Sequence, residues 1–197
     1  MKVVTGKSIL KGIAIGRLKI YRREIGQASR TSTLTPEEEF ARFQSAQRAA
    51  QEQLGALYER ALDEVGEDNA AIFEIHQMML EDEDYVEAIQ GILDNQGATA
   101  EYAVTVTGEN FAAAFAAMED PYMQARSADV KDISCRVVNI LTGADRGAAQ
   151  GEEPAILVAD DLTPSETVQL DKSKLLGFIT RGGSTNSHTA ILARTMG

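Results

Sequence analysis

Tryptophan is absent from the 197 residues, histidine occurs twice, and cysteine occurs once, as Cys135. A single cysteine excludes an internal disulfide and favours a reducing compartment. No apolar run approaches the ~18 residues needed to span a bilayer, and no basic segment followed by an apolar one opens the chain. The expectation is therefore a soluble, cytoplasmic protein without a membrane contact. Basic residues are few, with Lys+Arg 19 against Asp+Glu 30 and a net charge of −11. That balance argues against nucleic acid or an anionic membrane as a main partner, since both are polyanions. It leaves room for a basic protein, which an acidic surface would steer, although acidity also serves solubility alone. One Cys and two distant His residues make no metal cluster. The glycines at 182 and 183 fit neither GxxxxGK[ST] nor GxGxxG, so no nucleotide loop is read there. What is present is 44% hydrophobic and 25% charged residues, enough for a sizeable core.

Residues 1–24 alternate in period two through Val3, Val4, Gly12-Ile-Ala-Ile-Gly16, Leu18, Ile20 and Tyr21, which predicts strands. A polar linker follows over 25–34. Thr35-Pro36-Glu37-Glu38 then carries a helix start, with Thr35 as N-cap, Pro36 in the first turn and Glu38 closing a capping box. Phe40, Phe43, Ala50, Leu54, Leu57, Ala61 and Val65 recur at helical spacing, predicting one amphipathic helix of about 28 residues. A second helix is expected over Asn69–Leu80 with Ile72, Ile75 and Met79 on its apolar stripe. A third starts at Asp82, a fourth after the cap Thr99, and a fifth near Pro121, ending at Gly143. Residues 147–151 read as a small-residue linker.

Beyond it the period changes. Ala155–Ala159 and Leu175–Thr180 are short apolar runs of the kind buried on both faces, and Thr163-Pro164-Ser165-Glu166 repeats the capping signature between them. Strand, helix, strand, loop and helix are the order of an α/β domain. With strands at both ends, the fold expected is an α/β domain in two segments, 1–24 and 147–197, interrupted by an all-α helical bundle over 25–146. The last segment ends in a helix with no following strand, so a piece of a longer protein is expected.

His188 stands where a buried strand passes through a loop into a helix start. Unpaired backbone N–H groups and the positive end of the helix dipole make such a place an anion site. Ser184, Thr185, Ser187 and Thr189 surround it with hydroxyls, and the same positive end disfavours imidazolium. Thr167, in the preceding βα unit, is a candidate to fix the ring. A histidine after two glycines is, on its residues alone, more often a capping or surface residue.

Residues 160–197, from Asp-Asp-Leu-Thr-Pro-Ser-Glu-Thr-Val-Gln-Leu to Gly-Phe-Ile-Thr-Arg-Gly-Gly-Ser-Thr-Asn-Ser-His-Thr-Ala-Ile-Leu-Ala-Arg, closely resemble the swivelling phosphohistidine domain of Enzyme I of the bacterial sugar phosphotransferase system. The resemblance extends to Gly12–Gly16, to Ala71-Ile-Phe-Glu-Ile-His-Gln-Met-Met-Leu-Glu-Asp82, and to Tyr122, Arg126, Asp129, Val130 and Asp132. It covers essentially the whole chain. It implies phosphorylation of His188, a hydrogen bond from Thr167 that orients the ring, and the phosphocarrier HPr as partner. It also implies phosphoenolpyruvate and Mg²⁺ bound on a separate carboxy-terminal barrel, through which the longer protein dimerises; no metal site is expected in this chain, which would then be inactive with phosphoenolpyruvate alone. The chain departs from the family at Ser184 and Thr185, where many members have glycine and arginine.

For the HPr surface the resemblance implies an acidic rim of Glu67, Asp68, Glu74, Asp82, Glu83 and Asp84. An apolar centre is expected from Met78, Met79, Tyr85, Phe115, Tyr122 and Met123, with Arg126 beside it; core packing is the alternative for each apolar residue. His76 reads on its residues as a partly exposed surface histidine, and in the family's light as an interface residue. Two other readings stand beside this one: a pyruvate phosphate dikinase or phosphoenolpyruvate synthase-like enzyme, and a non-catalytic HPr-binding module.

Overall fold

A computed structural model describes residues 3–22, 29–144, 153–183 and 188–196. The linker expected at 147–151 lies outside the described residues, as do Ser184, Thr185 and Ser187.

Five helices form the bulk of the molecule: α1 (Pro36–Val65), α2 (Glu67–Glu81), α3 (Glu83–Gln96), α4 (Ala100–Ala116) and α5 (Pro121–Thr142). Their starts are set locally. Thr35 caps α1 in a full capping box with Glu38, Thr99 accepts from the Tyr102 amide at α4, and Asp120 accepts from that of Tyr122 at α5. Each side-chain oxygen takes up an amide that the first helical turn leaves without a partner. Phe43, Ala46, Ala50, Leu54, Leu57 and Ala61 recur along α1 every three or four residues and are all buried. They meet Phe73 and Leu80 of α2, Ile89 and Leu93 of α3, Val104 of α4, and Ile133 and Val137 of α5 in one core.

The α/β part is a three-stranded parallel sheet of order β1 (Arg17–Ile20), β2 (Ala155–Ala159) and β3 (Leu175–Thr180). Thus residues 138 apart, Leu18 beside Ile156 and Ile20 beside Val158, pair through the interruption expected from the sequence. The helix α6 (Pro164–Gln169) connects β2 to β3 and opens with a second capping box, Thr163 with Glu166; α7 (His188–Met196) follows β3. Val168 of α6 and Leu192 of α7 are buried in the same core as the bundle, so the bundle and the α/β helices share one apolar interface. Lys172 adds an ion pair with Glu64 at the end of α1, 3.1 Å away.

Two expectations are corrected. The amino-terminal run is a strand only over Arg17–Ile20; Val4, Ile13 and Ile15 are almost fully exposed, because alternation supplies no hydrogen-bonding neighbour and, among the described residues, none pairs with residues 3–16. The sheet is also not covered on both faces. Leu157 and Ala159 are buried with Leu162 and Leu170, whereas Leu18, Ile20 and Ile179 on the other face are more than half exposed.

Candidate functional site

His188 is the first residue of α7, beyond the carboxyl ends of β2 and β3. The turn leaving β3 is tied back to β2 by amide bonds from Arg181 to the Ala159 carbonyl (3.1 Å) and from Gly182 to that of Asp160 (2.8 Å). Gly183 has φ +91°, a conformation strained for any residue with a side chain, and a Cβ there would lie 3.2 Å from Asp161 Oδ1, so glycine suits this turn. On the other side of His188, Thr189 is buried and gives its hydroxyl proton to the Leu162 carbonyl at 2.6 Å. That hydroxyl is therefore a structural tie between α7 and the loop after β2, and its proton is not available to an anion. Thr167, 1% exposed on α6, donates to the Thr163 carbonyl at 2.8 Å. What it can offer a neighbouring imidazole N–H is an oxygen lone pair.

The helical bundle supplies the opposite wall. His188 is half-buried, and burial pushes its imidazole below the ordinary range; Asp129 draws it back up, while Arg126 and His76 push it down. The three residues that act on it come from two helices. Arg126 and Asp129 are one turn apart on α5, with Arg126 Nη1 3.1 Å from Asp129 Oδ2. The guanidinium also reaches the Tyr122 hydroxyl and lies over that ring, 4.7 Å from its centroid. His76 of α2 places Nε2 3.3 Å from Asp129 Oδ1 and Nδ1 3.7 Å from Asp132 Oδ2. Burial alone would raise the Asp129 carboxyl, but His76, with smaller contributions from His188 and Arg126, holds it below the usual carboxylate range. The site thus combines a neutral-leaning, partly accessible imidazole with a guanidinium anchored on an ionised carboxylate.

His76 overturns an expectation. It is 0% exposed and cannot touch a partner protein. Arg126, 8% exposed, is likewise committed inward to Asp129 rather than displayed on a rim. Tyr85 is a core residue: it is buried, bonded to Ser134 at 2.8 Å, and packed edge-on against Phe111. The rest of the expected surface is where a partner could reach it. Glu67, Asp68, Glu74, Asp82, Glu83 and Asp84 are exposed along α2 and its junction with α3, as are Met78 and Tyr122, while Met79, Phe115 and Met123 are half-buried. Asp129 and Asp132 had no role assigned from their residues; their signal was the spacing 122, 126, 129 and 132, which sets four polar side chains on one face of α5.

Residues 5–126 match the family model of the PEP-utilising enzyme, N-terminal, and residues 151–197 match that of the PEP-utilising enzyme, mobile domain. A solution structure of Enzyme I superposes with a TM-score of 0.72 at 34% identity, over 95% of this chain and 77% of that one. The chain belongs to the Enzyme I family of PEP-utilising enzymes. Within this family, the phosphoenolpyruvate-protein phosphotransferases of Bacillus sp. (strain S) and Haemophilus influenzae are 36% and 37% identical over 99% and 98% of the chain. The N-terminal domain of Enzyme 1 - Nitrogen has a TM-score of 0.67 at 29% identity, over 96% of this chain and 78% of that one. The chain spans 34% of the length of these phosphotransferases. Among the described residues, no helix is long and apolar enough to cross a membrane.

Proposed function

We propose that His188 is the phosphoryl carrier of this Enzyme I-type chain, and that the acceptor is the phosphocarrier HPr. In the longer protein the phosphoryl group would come from phosphoenolpyruvate on the barrel domain. A P–O bond breaks, an N–P bond to His188 forms, and the enolate that leaves takes a proton to become pyruvate. In the second step the N–P bond to His188 breaks as one to the HPr histidine forms. The α/β part swivels between the two as a phosphohistidine domain, and the longer protein acts as a cytoplasmic dimer.

The observation that carries this reading is the site of His188 itself. A half-buried imidazole whose pKa is pushed down offers an unprotonated nitrogen near neutral pH, which is what attack on phosphorus needs. Arg126 brings a positive charge to bear on the same ring, suited to the charge that spreads over three phosphoryl oxygens during transfer. The exposed acidic residues of α2 and α3, with Met78 and Tyr122, form the face offered to HPr, a basic partner in this reading. In this reading Mg²⁺ belongs with phosphoenolpyruvate to the separate barrel domain; among the described residues, no group of three or more His, Cys, Asp or Glu is placed to hold a metal ion.

The test is transfer from labelled phospho-HPr to the chain, followed by intact mass and location of the modified residue. Label at residue 188 that disappears in His188→Ala supports the proposal. Binding of HPr without any transfer to a folded chain would instead favour the non-catalytic module. Phosphoenolpyruvate alone should leave the chain unlabelled.

A further inference from the structure

Phosphoryl transfer at His188 leaves the buried imidazole of His76 unused. His76 is 0% exposed, yet neither ring nitrogen has a well-aligned hydrogen-bond partner, and Asp132 Oδ2 is left in the same condition. Buried polar groups are almost always satisfied, and each exception asks for a reason. The neighbours sharpen the question. The buried stripe of α2 is otherwise Ala70, Ile72, Phe73 and Leu80, and Phe73 meets the imidazole edge-on at 6.2 Å between centroids. An aliphatic side chain at position 76 would fill this space without desolvating a ring and two carboxylates, and such replacements are often neutral or stabilising. Fold stability alone does not account for the histidine.

Its contacts point toward His188. Asp129 has two carboxylate oxygens with different obligations: Oδ1 faces His76 Nε2 at 3.3 Å, and Oδ2 faces Arg126 Nη1 at 3.1 Å. Arg126 is then shared with the Tyr122 hydroxyl and ring. The row His76, Asp129, Arg126, Tyr122 therefore runs from the centre of the bundle to its surface and passes beside His188, whose titration feels the first three members. A guanidinium on a long flexible stem is useful to a transferring phosphoryl group only if it is held in place. Its anchor is Asp129, and among the influences on that carboxyl, contact with His76 is the largest that keeps it ionised.

We propose that His76 is a positioning residue for phosphoryl transfer at His188: it fixes the Asp129 carboxylate, and through it the Arg126 guanidinium, where the phosphoryl oxygens arrive. This rests on His188 being the phosphoryl carrier. His76 itself touches neither donor nor acceptor.

The experiment compares His76→Leu, which fills the space without a donor, with His76→Gln, whose amide nitrogen can replace Nε2 opposite Asp129. Transfer from labelled phospho-HPr is measured at saturating and limiting HPr, with circular dichroism to confirm the fold. For His76→Leu, the single-turnover rate constant at saturating phospho-HPr is expected to fall by roughly one to two orders of magnitude with the half-saturating concentration unchanged, the scale of loss when a reacting group is misplaced by about an ångström. His76→Gln should recover most of the rate. A folded His76→Leu protein with the wild-type single-turnover rate constant overturns the proposal, and so does a loss confined to the half-saturating concentration. Should His76→Leu fail to fold, a double-mutant cycle of His76→Asn with Asp129→Ala decides. The cost of the shortened side chain must vanish once Asp129 is gone, and additive costs refute the proposal. Failure of the carrier reading is distinct: the unsubstituted chain would then take no label, or keep it in His188→Ala.

Discussion

The hydroxyl of Thr189 and the backbone carbonyl of Leu162 lie 2.6 Å apart, joining the first turn of α7 to the loop that follows β2. Both groups are buried, so the bond cannot be exchanged for one to water without opening the structure. Thr189→Val keeps the shape and removes the donor, leaving a buried carbonyl unsatisfied. We expect a loss of about 1–3 kcal/mol, read from urea denaturation, with Thr189→Ser close to the parent. An unchanged midpoint in Thr189→Val would mean that the carbonyl finds another partner.

The charges around His188 make its titration readable. Proton NMR should place its pKa below the ordinary imidazole value of about 6.5. Because Asp129 stabilises imidazolium, Asp129→Asn should lower the pKa further; because Arg126 opposes it, Arg126→Gln should raise it. The sign for stability follows from linkage. A group whose folded pKa is depressed in a cation-forming residue binds its proton more readily in the unfolded chain, so the contribution of His188 to stability is intact above about pH 6.5 and is lost as the pH falls below that value. A shift to higher pKa in Asp129→Asn would contradict this arrangement of charges.

These cases also show what a sequence reveals and what it hides. The capping boxes at Thr35 with Glu38 and Thr163 with Glu166 were legible because every partner lies within three residues. The stretch before Arg17 was misread because its alternation carries no information about a neighbouring strand. His76 was misplaced by a rotation of the helix face. A stripe through Ile72, Ile75 and Met79 leaves it at the border of the apolar face, whereas the buried stripe runs Ile72, His76 and Leu80, four residues apart, and Ile75 and Met79 are only partly covered. The pairing of α2 with α5 decides between the two, and no local spacing encodes it. The aspartates that receive His76 lie 53 and 56 residues away.

That packing of helices is close enough to test at Gly108. A Cβ there would stand 2.6 Å from Ser134 Cβ, where α4 crosses α5, and rotating the serine hydroxyl cannot relieve a clash with its own Cβ. Gly108→Ala gains helix propensity worth roughly 1 kcal/mol, but overpacking of this kind typically costs about 1–3 kcal/mol. A net loss of stability is expected; Ser134→Gly removes the obstructing carbon but also the partner of the buried Tyr85 hydroxyl, so it is itself destabilising, and the cost of Gly108→Ala should be smaller in that background than in the parent. Thermal midpoints of the single and double variants check it, and a Gly108→Ala protein more stable than the parent would show that the two helices can separate at little cost.

Glu39 makes the clearest acid-dependent contribution to stability. Though 1% exposed, it caps α4 through Oε2 to the Ala100 amide at 3.0 Å, accepts from Ser32, and pairs with Arg42, which also reaches Glu101. Burial raises the carboxyl, but the bonds from Ser32, Ala100 and Arg42 together outweigh it and hold the pKa below its ordinary value. A depressed carboxyl pKa contributes stability that is complete above the unfolded value of about 4.3 and is lost as the pH falls through the folded one. Glu39→Gln should therefore destabilise the protein by about 1.5–3 kcal/mol near pH 7, the range for hydrogen bonds to a charged group. Near pH 3 the difference from the parent should shrink, because the parent has by then begun to lose the same ionised acceptor. Urea midpoints at the two pH values measure it; a gap that stays constant would show that the amide and guanidinium contacts do not depend on the charge of Glu39.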